Sequence, residues 1–164
     1  MKPHRVEASV HVAAPASRIY GILADYRDGH PRILPPRYFQ GLRVERGGVG
    51  AGTTIQVDMR VLGRVRSFRA TVTEPEPGRV LAETDVDTGT VTTFTVDPGA
   101  DGASAVVTIA TELGTRGGLA GAVERTLTTA FLRRVYIEEL GLLKGYAERQ
   151  GAAGAGSTQA APRA

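Results

Sequence analysis

Hydrophobic and polar residues alternate at the start of the chain with the period of a β-strand. Over residues 5–12, every second position is apolar and small, beginning at Val6 and ending at Val12. Successive side chains of a strand point to opposite faces, so this segment predicts a strand with one wet face. Pro15 then stands where a helix can begin, and prolines interrupt residues 26–36, which we expect to form a structured connection or a short second helix.

The same alternation returns between residues 41 and 112, in runs separated by Gly, Pro and Asp. These runs predict about six further strands. The glycine-rich segment 47–53 lies between two of them and predicts a hairpin turn. A phosphate-binding loop is excluded, because such a loop must run into the N-terminus of a helix and here a strand follows.

Residues 118–149 predict one long helix whose apolar stripe changes position along its length. The stripe of the first half differs from that of the second, either because the helix bends near residues 128–132 or because its two ends bury different faces. We favour a second half packed on the sheet and a first half over an open space. The two stripes are Leu119, Val123, Leu127 and Ala130, then Leu132, Val135, Tyr136, Leu140 and Leu143.

Composition favours one domain, residues 1–150, followed by a tail, residues 151–164, that is too poor in large apolar residues to fold. The chain has no cysteine and its three histidines are scattered, so we expect neither a metal nor a cofactor. No apolar run is long enough to cross a bilayer and no export pattern is present, which predicts a cytoplasmic protein. The net charge is +3, but with 5% aromatic residues to stack on bases no DNA or RNA partner is expected.

An antiparallel sheet with one long helix to cover it tends to curl around that helix and leave a gap. The order of elements resembles the START-like helix-grip superfamily, also called SRPBCC. The resemblance covers residues 5–149. Within it, residues 25–54 resemble the polyketide cyclase/dehydrase-like branch, through Tyr26, His30, Pro31, Pro35, Phe39 and the run GGVGAGT.

The resemblance implies an α+β fold in which a curved antiparallel sheet of about seven strands, in the order β-α-α-β6-α, wraps around the C-terminal helix. Superfamily members bind lipids, sterols, polyketides, hormones or quinones between sheet and helix, and some of them catalyse reactions there. A hydrophobic small molecule is therefore the expected partner. The oligomeric state is not predicted.

Strand parity and the helix stripes select the side chains that face the expected cavity. Most are aliphatic or aromatic, and one arginine on the long helix is placed to reach an acidic ligand group. The set is Val10, Ile55, Val57, Met59, Phe68, Val72, Phe94, Val107, Ile109, Leu127, Phe131 and Arg134. The same parity sends Glu7, Asp58 and Glu112 outward, so few carboxylates are expected inside.

His30 is the candidate acid/base, because its ordinary pKa lies near neutrality and it follows the first helix near the expected cavity. Tyr26 is the second candidate, as a donor to a ligand carbonyl. The alternative for each is a structural role, His30 as a surface or capping residue and Tyr26 packed under the loop.

Three functions remain open at this point. Binding of a lipid- or polyketide-like molecule is favoured, because few charged groups are expected inside. The alternative in the same cavity is a cyclase/aromatase or dehydratase using His30, Tyr26 or Arg134. The third is an interaction module that contacts an anionic partner through the arginine-rich hairpin around residues 60–69.

Overall fold

The computed structural model describes residues 4–61, 63–113 and 118–156, apart from the side chains of 118–125 and 154–156. It contains two α-helices, one 3-10 turn and seven strands. Their bounds are β1 His4–Val12, α1 Ala16–Ala24, the 3-10 turn His30–Arg32, β2 Phe39–Arg46, β3 Thr54–Val61, β4 Arg64–Glu76, β5 Val80–Asp85, β6 Val91–Pro98, β7 Ala105–Leu113 and α2 Gly118–Gly156. The predicted order of elements is confirmed.

All seven strands form one antiparallel sheet in the order β1-β7-β6-β5-β4-β3-β2. Consecutive strands from β2 to β7 are neighbours, and β1 pairs with β7 along its whole length. The sheet is therefore a meander from β2 to β7, with β1 added at the β7 edge. It is curved and open, and α2 lies against its inner face. The predicted α+β helix-grip fold is confirmed.

The second apolar stripe of α2 forms the helix side of the core. Val135, Tyr136, Leu140 and Leu143 are at most 5% exposed, and Ala147 extends the stripe by one turn. This half of α2 packs along β1, so the prediction that it covers the sheet is correct. Among the first-stripe residues, Leu119 and Val123 lie outside the described side chains.

α2 is longer than the sequence suggests, because it continues to Gly156. Residues 151–156, which were expected to belong to the tail, are thus helical, although three of these six residues are glycines with low helix propensity. Residues 157–164 lie outside the described part of the chain. No helix within the described residues is long and apolar enough to span a membrane.

The hairpin between β2 and β3 fastens the end of α1 to the sheet. Val49 forms a bridge with Asp25, the amide of Tyr26 donates to the carbonyl of Gly48 at 2.9 Å, and that of Gly50 donates to Ala24 at 2.9 Å. Gly50 has a φ of 59°, and a Cβ there would lie 2.6 Å from a carboxylate oxygen of Glu74. The glycine run therefore forms the predicted turn and fixes where residues 26–30 begin.

Gly29 lets the chain fold back tightly against α1 just before His30. A Cβ at this position would lie 2.6 Å from the carbonyl oxygen of Ile22, well inside van der Waals contact. The backbone of Gly29 is ordinary, with φ −70° and ψ −58°, so close approach is what requires glycine here.

We expect Gly29→Ala to lower the free energy of unfolding by roughly 1–3 kcal/mol, because the added methyl must push the turn away from α1. Gly21→Ala is the matched control. Gly21 lies inside α1 with open space around its missing Cβ, so alanine should stabilise by roughly 0.5–1 kcal/mol through helix propensity. Urea unfolding of both variants measures the difference, and equal effects of the two substitutions would contradict this account.

Candidate ligand-binding and active site

A cavity of about 370 Å³ lies between the concave face of the sheet and the middle of α2. Alternate residues of β3 face it, as the strand period requires, and helix residues close it from the other side. Its apolar lining consists of Leu34, Phe39, Leu42, Ile55, Val57, Met59, Val61, Phe68, Ala70, Phe94, Ile109, Leu113, Phe131, Leu132 and Val135. The volume is in the lower part of the range typical of small-molecule sites, roughly 300–1,000 Å³.

Many of the residues selected by parity do line this cavity. On the sheet they are Ile55, Val57, Met59, Phe68, Phe94 and Ile109. On α2 Phe131 contributes, and its ring meets that of Tyr38 edge to face with centroids 5.6 Å apart. The void therefore runs from the hairpin β3–β4 across the sheet to the middle of the helix.

Other selected residues lie elsewhere. Val72 and Val107 are at most 2% exposed and Val10 packs against the same core, outside the cavity lining. Strand parity predicted correctly that these side chains point inward. No void remains beside Val10 and Val107, because α2 packs on β1, which carries Val10 and pairs with the strand that carries Val107. Leu127 is 56% exposed. Arg134 is also exposed, on the side of α2 opposite its buried stripe, so neither residue can serve the cavity role expected from sequence.

His30 is 2% exposed and lines the cavity. Its Nδ1 lies 2.7 Å from the carbonyl oxygen of Leu23. Since a carbonyl only accepts, Nδ1 carries a proton, and in the neutral ring Nε2 therefore holds the lone pair. The backbone of α1 thus sets the tautomer that leaves Nε2 free to take a proton.

Glu83, on β5, lies close to that nitrogen. One of its carboxylate oxygens lies 3.7 Å from Nε2 of His30 and accepts a hydrogen bond of 2.6 Å from the hydroxyl of Tyr26. An imidazolium formed at His30 would find a partner already held in place. A histidine whose other ring nitrogen is held by a backbone carbonyl, with a carboxylate close by, is a candidate for general acid/base chemistry.

Tyr26 is 1% exposed and stacks on the ring of His30, with centroids 4.5 Å apart and planes inclined by 17°. Burial, and then the negative charge of Glu83, raise the pKa of Tyr26 well above its ordinary value of 10.0. Its hydroxyl therefore stays a donor to Glu83. Tyr26 is not among the lining residues and contacts the cavity residues His30 and Glu83. Its hydroxyl is therefore neither the donor to a ligand expected from sequence nor exposed to water, as the structural alternative had it.

Glu139 places a second carboxyl group in the cavity, from α2. It is 3% exposed, and its Oε1 has no hydrogen-bond partner among the described residues. Burial, and then repulsion from Glu83, raise the pKa of Glu139 well above its ordinary value of 4.5. Burial therefore favours the protonated, uncharged form of this group over the carboxylate.

A chain of hydroxyl groups lies beside Glu139. Thr92 and Thr111 face each other across β6 and β7 with their Oγ1 atoms 2.6 Å apart, and Thr111 also hydrogen-bonds the hydroxyl of Tyr136. Burial raises the pKa of Tyr136 to about 12. These hydroxyls satisfy one another, so they form a fixed polar wall.

The expectation of few inward carboxylates is wrong, since Glu83, Asp85 and Glu139 all line the cavity. The signals were present in the sequence. Leu81 is a core residue of β5, and Glu83 and Asp85 share its face by strand parity. Glu139 falls within the buried stripe of α2, between Tyr136 and Leu143. In the sequence these three carboxylates look like ordinary solvated charges unless the strand or helix period is extended through their positions.

A family model described as "Polyketide cyclase / dehydrase and lipid transport" matches residues 3–148. The chain belongs to this family. The resemblance to its START-like superfamily is thereby confirmed. No curated protein sequence matches the chain significantly.

Solved structures share the fold across almost the whole chain. A solution structure of KanY protein is 29% identical and covers 90% of this chain and 99% of its own, with a TM-score of 0.78. The Zhui aromatase/cyclase from Streptomyces sp. R1128 is 21% identical over 91% of this chain and 96% of its own, with a TM-score of 0.75. A START superfamily protein from Mycobacterium smegmatis is 19% identical over 90% of this chain and 99% of its own, with a TM-score of 0.69.

The buried carboxyl of Glu139 makes folding stability depend on pH. Above about pH 4.5 the unfolded chain releases this proton while the folded protein retains it, so the folded state binds more protons. The free energy of unfolding must then fall as pH rises, until the folded group also ionises. We expect urea unfolding between about pH 5 and pH 8 to show this decline in the wild type and a flatter curve in Glu139→Gln. Parallel curves would contradict the burial of an uncharged Glu139.

Proposed function

We propose that this protein is an enzyme of the cyclase/aromatase or dehydratase kind that moves protons on a polyketide-like substrate held in the cavity. The observation that supports it most is His30 in the lining of a mainly apolar cavity, with its Nε2 unprotonated in the neutral ring and 3.7 Å from a carboxylate oxygen of Glu83. Sequence alone favoured a binding protein because charged groups were expected to be scarce inside. The charged and titratable side chains of the cavity lining favour an enzyme instead.

The roles follow from geometry. His30 takes a proton from the substrate at Nε2, while Nδ1 stays bonded to the carbonyl of Leu23. Glu83 stabilises the resulting imidazolium, and Tyr26 holds Glu83 in position through its hydroxyl. His30 is thus the proposed catalytic residue and Tyr26 a positioning residue. An oriented base of this kind contributes roughly 10²–10⁴-fold to a rate.

The apolar walls have a complementary role. A flexible chain that folds into one shape between β3, β6 and α2 has already lost the freedom that otherwise opposes ring closure. The aromatic rings of Phe94 and Phe131 offer flat surfaces for the rings that form. At about 370 Å³ the cavity suits a compact, ring-sized molecule better than an extended lipid.

Binding and transport without chemistry is the second candidate, since the described lining is mainly apolar. This candidate explains the apolar walls of the cavity, but it gives no role to the arrangement of His30 and Glu83. The third, contact with an anionic partner through the arginine-rich hairpin, has weaker support. Arg69 is already paired with Glu45 at 2.7 Å, and this face carries only exposed, screened charges.

We expect His30→Asn to abolish turnover while preserving the fold. The asparagine amide can still donate to Leu23, but it supplies nothing in place of Nε2. With a linear poly-β-ketone generated in situ, cyclised products quantified by mass spectrometry should fall by about 10²-fold or more. Affinity for 2-acetylnaphthalene, measured by fluorescence titration, should stay within a few-fold of the wild type.

His11→Ala is the matched control, because His11 is exposed on the outer face of β1. It should leave both readouts unchanged. The proposal fails if the wild type does not alter the products formed spontaneously, or if His30→Asn retains full activity.

A further inference from the structure

The carboxyl group of Glu139 is a buried polar group of the cavity that the proposed proton transfer does not use. Its Oε1 is buried and without a partner among the described residues, on a side chain that lines the void. Leaving a buried polar atom unpaired costs stability that leucine at this helix position would not cost. A buried polar atom without a partner, on a side chain that lines a cavity, is what a missing ligand atom would explain.

Other polar groups that line the cavity with Glu139 come from several elements. His30 lies on the 3-10 turn, Glu83 on β5, Thr111 on β7 and Tyr136 on α2 itself. At least one polar atom of each of these groups already has a hydrogen-bond partner. His30 is bonded to Leu23, Glu83 to Tyr26, and Thr111 and Tyr136 to each other. The carboxyl of Glu139 is left to meet the ligand.

The charge state decides which ligand atom it can meet. Glu83 and Glu139 interact in one poorly solvated cavity, where two like charges disfavour each other. Glu83 is placed to carry the negative charge, because it accepts from Tyr26 and faces His30. A carboxylic acid at Glu139 has one O–H to donate, and a buried acid of this kind is a good donor to an oxygen that gains charge.

We propose that Glu139 is a hydrogen-bond donor to a carbonyl oxygen of the ligand, so that the cavity selects hydrophobic ketones. The inference rests on the proposed function only in sharing its cavity, since ketone recognition does not require turnover. It also deepens that function by placing an acid and a base on one substrate.

The two groups together fit enolisation of the ketone. Nε2 of His30 takes a proton from the carbon next to the carbonyl, and the C–H electron pair becomes a carbon–carbon double bond. The carbonyl π electrons move to oxygen, which takes the proton of Glu139. His30 is left as imidazolium and Glu139 as carboxylate, and return of a proton from the first to the second restores the site. The enol carbon so formed is the nucleophile that a ring closure needs.

The test compares two flat probes that differ in one atom. 2-Acetylnaphthalene carries the ketone, and 2-isopropenylnaphthalene replaces its oxygen by a CH₂ group of similar shape. We expect the wild type to bind the ketone about five- to tenfold more tightly, the ratio given by one buried hydrogen bond. In Glu139→Leu the ratio should fall to about one, with no loss of affinity for the hydrocarbon.

Glu139→Gln is the matched variant, because its amide keeps the shape of the side chain and an N–H donor. It should retain a preference for the ketone, which separates a donor role from a merely structural one. The cation 1-(2-naphthyl)ethylamine tests whether Glu139 is instead a negatively charged carboxylate. If the wild type binds this cation best and Glu139→Gln loses that preference, Glu139 is a carboxylate and the proposal is wrong.

Equal binding of the two neutral probes by the wild type, or an unchanged ratio in Glu139→Leu, would also overturn the inference, as would no binding of any probe. His30→Asn should keep the ketone preference. If the wild type shows that preference and no effect on cyclisation, the inference stands and the proposed function fails.

Discussion

The sheet curves, and the described part of α2 covers its inner face closely only along part of its length. Where α2 packs on β1, the valines of β1 and β7 find close partners and the interior is solid. Nearer the hairpin β3–β4, the inward side chains face open space, and Phe68 remains 36% exposed. This mismatch between one helix and a seven-stranded sheet creates the cavity, and every functional feature of the molecule is placed by it.

The polar groups inside this space are controlled by their surroundings. The same burial that favours the uncharged form of Glu139 would strengthen the attraction between an imidazolium at His30 and a carboxylate at Glu83. In the proposed chemistry the two carboxyl groups have different roles, Glu139 as acid and Glu83 as counter-charge, because of where each lies. Burial also raises the pKa of the Tyr26 and Tyr136 hydroxyls, and that of Tyr26 donates to Glu83.

Sequence patterns predicted the fold well, because periodicity reports directly on which face of an element is buried. The alternation in β3 identified Ile55, Val57 and Met59 as cavity residues. Periodicity cannot tell whether an inward side chain meets a neighbour or a void, since both are apolar environments. Val10 and Val107 show this limit. The partnership of Tyr26 with Glu83 joins residues 57 positions apart, and no local pattern encodes it.

Stability and chemistry oppose each other at several points of this interior. The core would gain from filling the void and from replacing Glu139 by leucine, and both changes would remove what the cavity offers a ligand. The protein offsets this cost outside the cavity. Glu74 accepts from Tyr20 at 2.6 Å and from the amide of Ala51 at 2.8 Å, which ties α1 to the glycine-rich hairpin. Because α1 is anchored there, the carbonyl of Leu23 is fixed, and with it the orientation of the His30 ring. The His30 ring, the proposed base, is therefore positioned by contacts that no ligand needs to touch, so we expect a change at the hairpin to affect the proposed chemistry without altering the cavity lining.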